Sequence, residues 1–133
     1  MKLVIYTDGA ARGNPGPAGI GVVIQNDKGE VIQEISGFLG QATNNVAEYT
    51  ALTTALEKAV ALNAQEVQLF TDSELIVKQI KGEYRVKNEG LKPLYQKAKG
   101  LIQQLGSFTI THVPREKNKE ADRLANQGID EEG

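Results

Sequence analysis

Three strand-like runs crowd into the first forty residues with only turn sequence between them, and this crowding limits the fold more than any other feature of the chain. The runs are Lys2 to Thr7, Gly19 to Asn26 and Glu30 to Leu39. Arg12-Gly-Asn-Pro-Gly-Pro17 and Asp27-Lys-Gly29 separate them with the residue types that tight turns require. A β-meander is the expected result. Thr43 to Leu62 then reads as a long helix, with Thr43, Asn44 and Asn45 as capping candidates. Beyond it the pattern alternates: a strand from Val67 to Thr71, a helix from Ser73 to Ile80, and a loop holding Gly82 and Gly90. A helix from Leu91 to Leu105, a strand from Phe108 to Val113 stopped by Pro114, and a helix from Asn118 to Gly128 complete it. Strands first, then strands alternating with helices, imply an α/β fold whose mixed sheet is covered by helices.

At 133 residues the chain suits one domain, placed at 1–129, with Asp130-Glu-Glu-Gly133 expected as a frayed acidic tail. It has no cysteine and one histidine, His112, so neither thiolate ligands nor the several nitrogens of a zinc site are available. A bound metal would be hard and held by oxygen, which points to Mg²⁺ with Mn²⁺ as a substitute. The chain opens directly on strand-like sequence, without a charged leader or a long apolar stretch. A soluble, cytoplasmic monomer that avoids membranes is expected.

Net charge is −2, but its distribution is uneven. Lys78, Lys81, Arg85, Lys87, Lys92, Lys97 and Lys99 face only Glu83 and Glu89 in their segment. A basic patch beside an acidic centre suits a polyanion, and the same residues equally suit an ordinary solvated helical face.

The acidic centre comes from four positions where a lone carboxylate is costly. Asp8 shares a side of its strand pattern with Val4 and Tyr6. Glu48 falls at helical spacing with Leu52, Ala55, Ala59 and Leu62, a stripe expected to face the core. Asp72 emerges at the carboxyl end of a buried strand, and Asp122 sits at the margin of an apolar helix face. A divalent cation would make these charges mutually tolerable. Each acid also has a purely structural reading: Asp8 in a turn with Gly9, Glu48 in a capping box with Asn45, Asp72 as a helix N-cap, Asp122 as a surface acid.

Four blocks then converge. Tyr6-Thr-Asp-Gly-Ala10 with Gly13-Asn-Pro-Gly16, Thr43-Asn-Asn-Val-Ala-Glu48, Phe70-Thr-Asp-Ser73, and Asn118-Lys-Glu-Ala-Asp122-Arg-Leu-Ala125 resemble, in order and over nearly the whole chain, the signature blocks of type 1 ribonuclease H. The resemblance implies a five-stranded mixed sheet in the order 3-2-1-4-5 flanked by helices. It assigns Asp8, Glu48, Asp72 and Asp122 to a catalytic tetrad binding two Mg²⁺ ions. It also implies hydrolysis of the RNA strand of RNA–DNA hybrids to 5′-phosphate and 3′-hydroxyl ends. Asp8 would bridge both ions, Asp122 would serve the nucleophile side, and Glu48 and Asp72 the leaving-group side.

Substrate contacts fall by the same resemblance to Asn14, Asn44 and Asn45, with Thr43 seating a DNA-strand phosphate. Glu74 stands where some relatives carry a substrate-facing glutamine. The loop before the last acid is the short Pro114-Arg-Glu-Lys-Asn118, without the histidine many relatives place there. Arg115 is the residue of that loop expected to meet phosphate, and His112 is read as structural. A broader nuclease acting on duplex RNA or junctions is the alternative within the same chemistry. A binding module without catalysis is the alternative outside it.

Overall fold

Leu3, Ile5 and Thr7 alternate with Val4, Tyr6 and Asp8 along β1 (Lys2–Ala11), and the first set is buried on one side of the sheet. The computed structural model describes residues 1–132; Gly133, and with it the end of the expected tail, lies outside the described residues. β1 pairs antiparallel with β2 (Gly16–Gln25), and β2 pairs antiparallel with β3 (Val31–Ala42). On its other edge β1 pairs parallel with β4 (Glu66–Thr71), which pairs parallel with β5 (Ser107–His112). The order β3-β2-β1-β4-β5 is the one the resemblance implied.

The helices follow from these connections. The parallel step from the meander into β4 needs a crossover, and α1 (Asn44–Ala61) supplies it, packed over β1 and β2 with α3 (Lys92–Gln103) against it. Leu3, Ile5, Val22, Ile24, Leu52, Leu56, Val67 and Leu69 form the core on that side. The Tyr49 hydroxyl donates to Gln79 Oε1 of α2 (Glu74–Ile80) at 2.6 Å, so this buried phenol is satisfied. On the opposite face α4 (Lys119–Glu132) lies across β2 and β3.

Several expectations need correcting. β1 runs to Ala11 rather than Thr7, because its ladder with β2 continues to Ala11↔Ala18 after the ladder with β4 has stopped at Thr7↔Thr71. Thr43 alone caps α1, its Oγ1 accepting from the Val46 N–H at 3.2 Å, while Asn44 and Asn45 are already helical. Leu62 is the C-cap of α1 and is 37% exposed, so the apolar stripe ends at Ala59. The tail does not fray after residue 129: α4 continues, and Asp130 Oδ1 meets Arg12 Nη1 at 2.6 Å. A 3₁₀ turn, Arg115–Lys117, occupies the loop before α4.

The register sets Asp8 opposite Gly21. A Cβ at Gly21 would overlap the carbonyl oxygen of Ala121 and crowd the backbone nitrogen of Ala125, so the missing side chain is what lets α4 lie directly on β2. Gly21→Ala should lower the free energy of unfolding by about 1–3 kcal/mol, the usual cost of overpacking. Urea denaturation would measure it, and an unchanged midpoint would show that α4 can lift without cost.

Candidate active site

β4 leaves the sheet after Thr71 while β1 runs on beside β2, and the four acids gather in the opening this creates. Asp8 projects from β1, Asp72 follows the last residue of β4, Glu48 reaches in from α1 and Asp122 from α4. All four line one cleft of about 440 Å³, together with Asn44, Ser73, Arg115 and Asn126. One carboxylate oxygen each from Asp8, Glu48 and Asp72 lie within 4.8 Å of one another.

Two close approaches bring the helices to Asp8. A Cβ at Gly9 would overlap the backbone of Ala47 and Glu48, so glycine beside Asp8 admits the start of α1. The Gly9 N–H then donates to Glu48 Oε1 at 3.0 Å. Gly21, across the ladder from Asp8, admits α4 in the same way. A latch fixes the start of that helix. Asn118, 2% exposed, donates its Nδ2 to the Thr7 carbonyl at 2.9 Å, one residue before Asp8.

For Asp8, Glu48 and Asp72 the structural alternatives do not hold. Asp8 lies within a continuing strand, Glu48 bonds Gly9 rather than closing a box with Asn45, and Ser73 is the N-cap of α2, its Oγ accepting from the Ile76 N–H. The residues expected to contact substrate spread more widely. Asn14 Oδ1 accepts from the Asn44 N–H at 3.0 Å, tying the β1–β2 hairpin to α1, and Asn45 is exposed beside them. Thr43 has its hydroxyl engaged in the cap. Arg115 lies 3.7 Å from Asp122 Oδ1 with most of its side chain in solvent. Glu74 does not line the cleft; it pairs with Lys78 at 2.8 Å, which lowers its pKa. His112 ends β5, exposed and outside the cleft lining.

Asp8 and Glu48 are only 5% and 6% exposed, and neither has a cationic partner among the described residues. Burial, then the facing Glu48 and Asp72, drives the Asp8 pKa well above the carboxylate range. Burial also raises Glu48, to about 7, against the lowering effect of its bonds to Asp8 and Gly9. Burial and mutual repulsion thus favour the protonated form of the pair when no cation is bound. Hard oxygen donors that repel one another and lack a cation fit a divalent ion of the Mg²⁺ class.

Residues 6–128 match a family profile described as reverse transcriptase-like. The chain is 46% identical over 131 residues to a bifunctional protein, Rv2228c, of Mycobacterium tuberculosis, and 41% identical over 130 residues to ribonuclease HI of Halobacterium salinarum. It superposes on the crystal structure of LC11-RNase H1 in complex with RNA/DNA hybrid with a TM-score of 0.91 and 47% identity, covering 97% of each chain.

The chain belongs to the ribonuclease H family.

Each of the two curated relatives matches 98% of this ribonuclease H family chain, which spans 36% of the length of the mycobacterial protein and 65% of the archaeal one. Among the residues that sequence reasoning left out of the site are Gly9, Arg12, Ser73, Asn118 and Asn126. Asn118 and Asn126 stand four residues before and after Asp122, a helical spacing that was available as a signal.

The raised carboxyls make a pH prediction. A folded state that holds protons the unfolded state releases loses stability as pH rises from the ordinary carboxylate pKa, about 4, through the folded value. With chelator present, the melting temperature should fall from pH 5 upward, through the raised Glu48 near 7 and on toward the still higher Asp8. The slope is about 1.4 kcal/mol per pH unit for each proton held only by the folded chain. Asp8→Asn should flatten that slope, and millimolar Mg²⁺ should restore stability most strongly at the upper end. A flat metal-free profile for the wild type would contradict the shared proton.

Proposed function

We propose that this chain is an endoribonuclease that hydrolyses the RNA strand of RNA–DNA hybrids, using two Mg²⁺ ions held by Asp8, Glu48, Asp72 and Asp122, with Mn²⁺ able to replace them. The observation that carries this reading is the convergence of four acids, from β1, α1, α4 and the end of β4, on one cleft open to solvent. That a fold neighbour of near-identical extent was solved with RNA/DNA hybrid supports the substrate class. The reading covers the described domain, acting as a cytoplasmic monomer. Within it, no helix is long and apolar enough to cross a membrane.

When bound, the ions supply the positive charge that offsets the acids, polarises the phosphate and makes water acidic enough to attack it. The chain's own residues do the placing. Asp8, buried between two helices, stands at the centre; the Gly9 N–H holds Glu48 beside it, and the strand end presents Asp72. Asn14 spends its oxygen on the Asn44 N–H, which leaves its NH₂ group free to donate to a 2′-hydroxyl. Asn44 and Asn45 are exposed on the same shoulder, and Arg115 stands at the mouth of the cleft as a phosphate contact.

The basic segment is thinner than its composition implied. Lys78, Lys92 and Lys97 are paired with Glu74, Glu89 and Glu57, which leaves Lys81, Arg85, Lys87 and Lys99 without an ion pair among the described residues, and Lys99 donates to the Ile80 carbonyl. Hybrid affinity should therefore rest on few phosphate contacts and depend modestly on salt.

Cleavage of a strand-labelled hybrid tests the function, with single-stranded RNA, duplex RNA and duplex DNA alongside, in Mg²⁺, Mn²⁺ and chelator. Metal-dependent cutting confined to the RNA strand of the hybrid is expected. Asp8→Asn should lower kcat by on the order of a thousandfold, since it removes several kcal/mol of charge organisation. Additional cutting of duplex RNA would assign the broader nuclease. Binding without cleavage in either metal would refute an enzymatic role.

A further inference from the structure

Asp122 stands apart from the other three acids, with Arg115 Nη2 3.7 Å from its Oδ1. Asp8 sits within a ladder, Asp72 directly follows one, and Glu48 is pinned by a backbone N–H. Asp122 rides on a helix with its side chain 30% exposed, and it does not join the three-oxygen group of the others. We infer that Arg12 and Asn126 form a positioning pair that holds the Asp122 carboxylate in place; the inference rests on reading Asp122 as a metal-holding residue.

The geometry is a relay of donors and acceptors. Asn126, one turn after Asp122, donates its Nδ2 to the Asp122 backbone carbonyl at 3.0 Å and to Asp122 Oδ1 at 3.4 Å. The other end of the same amide, Oδ1, accepts from Arg12 Nη2 at 3.3 Å, and the Asn126 carbonyl lies 3.5 Å from that nitrogen. A guanidinium offers only donors. It therefore selects the amide orientation that turns oxygen to Arg12 and NH₂ to Asp122; the flipped amide would set oxygen against a carboxylate and nitrogen against a cation.

Arg12 is itself aimed by Asp130, one turn further along α4, which takes Nη1 at 2.6 Å. The two prongs of the guanidinium thus grip consecutive turns of α4 from the end of β1, and Arg12 and Asn126 both line the cleft. Arg12 and Asp130 are about half-exposed or more, so their ion pair by itself contributes little to stability. What the pair adds is direction: it sets which end of Asn126 meets Asp122. Groups that orient a metal-holding side chain typically matter 10–100-fold for affinity or activity.

Arg12→Ala, Asn126→Leu, the double variant and Arg123→Ala test this, the last removing an arginine of similar exposure from the same helix. Two readouts are needed: steady-state hybrid cleavage, and the Mn²⁺ concentration giving half-maximal thermal stabilisation without substrate. Arg12→Ala and Asn126→Leu should each lower kcat about tenfold with KM within about twofold, and should raise the Mn²⁺ midpoint by a similar factor. The double variant should be no worse than the weaker single one, because both act through one contact. Arg12→Lys, which keeps the charge but not the fork, should recover only part of the loss, and Arg123→Ala should match the wild type. An unchanged Mn²⁺ midpoint in Asn126→Leu would overturn the inference, as would a rise in KM at constant kcat for Arg12→Ala, which would make Arg12 a phosphate contact instead. A wild type inert on hybrid would refute the proposed activity, while the Mn²⁺ midpoints would still decide the positioning pair.

Discussion

The site depends on two backbone contacts that only glycine permits, one on each side of the sheet. Gly9 follows Asp8 in the chain and admits α1 from one face; Gly21 faces Asp8 across the ladder and admits α4 from the other. The two helices carry Glu48 and Asp122. Their acids reach Asp8 because no Cβ stands between helix and strand, and carboxylate side chains are too short to span an ordinary helix–sheet separation. The electrostatics follow from the packing. Closing both faces over Asp8 removes water, and without a cation the resulting desolvation is answered by a retained proton.

The sheet order was legible because it follows from chain economy. Three runs joined by tight turns must be neighbours, and the later strands must be reached by helices. The acids were legible for a different reason: each is out of place by the local pattern of its own element, and they fall in one order with the family's blocks. Element ends were harder to read. β1 outlasts Thr7 because one of its two neighbours continues, a fact about β2 rather than about β1. The exposure of Leu62 reflects where α1 ends, which a helical stripe cannot reveal.

What stayed hidden is whatever pairs across long sequence separation. By sequence Asp130 belongs to a frayed acidic tail and Arg12 to a turn, yet the two form an ion pair between α4 and the end of β1. Asn118 was part of a recognised block, but nothing in the block says that its amide binds the Thr7 carbonyl. Glu74 shows the reverse. Its place in a family pattern suggests substrate, while in the structure it pairs with Lys78 at (i, i+4) spacing on α2.

The order of the acids along the chain bears on how the domain comes into being. Asp8 lies in the first strand and Asp122 in the last helix, separated by every other element of the fold. In a chain emerging from the ribosome the meander and first crossover are synthesised before α4, and until α4 follows the opening beside Asp8 lacks one of its four walls. Nascent and truncated forms are thus without the complete acid set by construction. The four-acid cleft is therefore complete only once the last described helix has been made and packed.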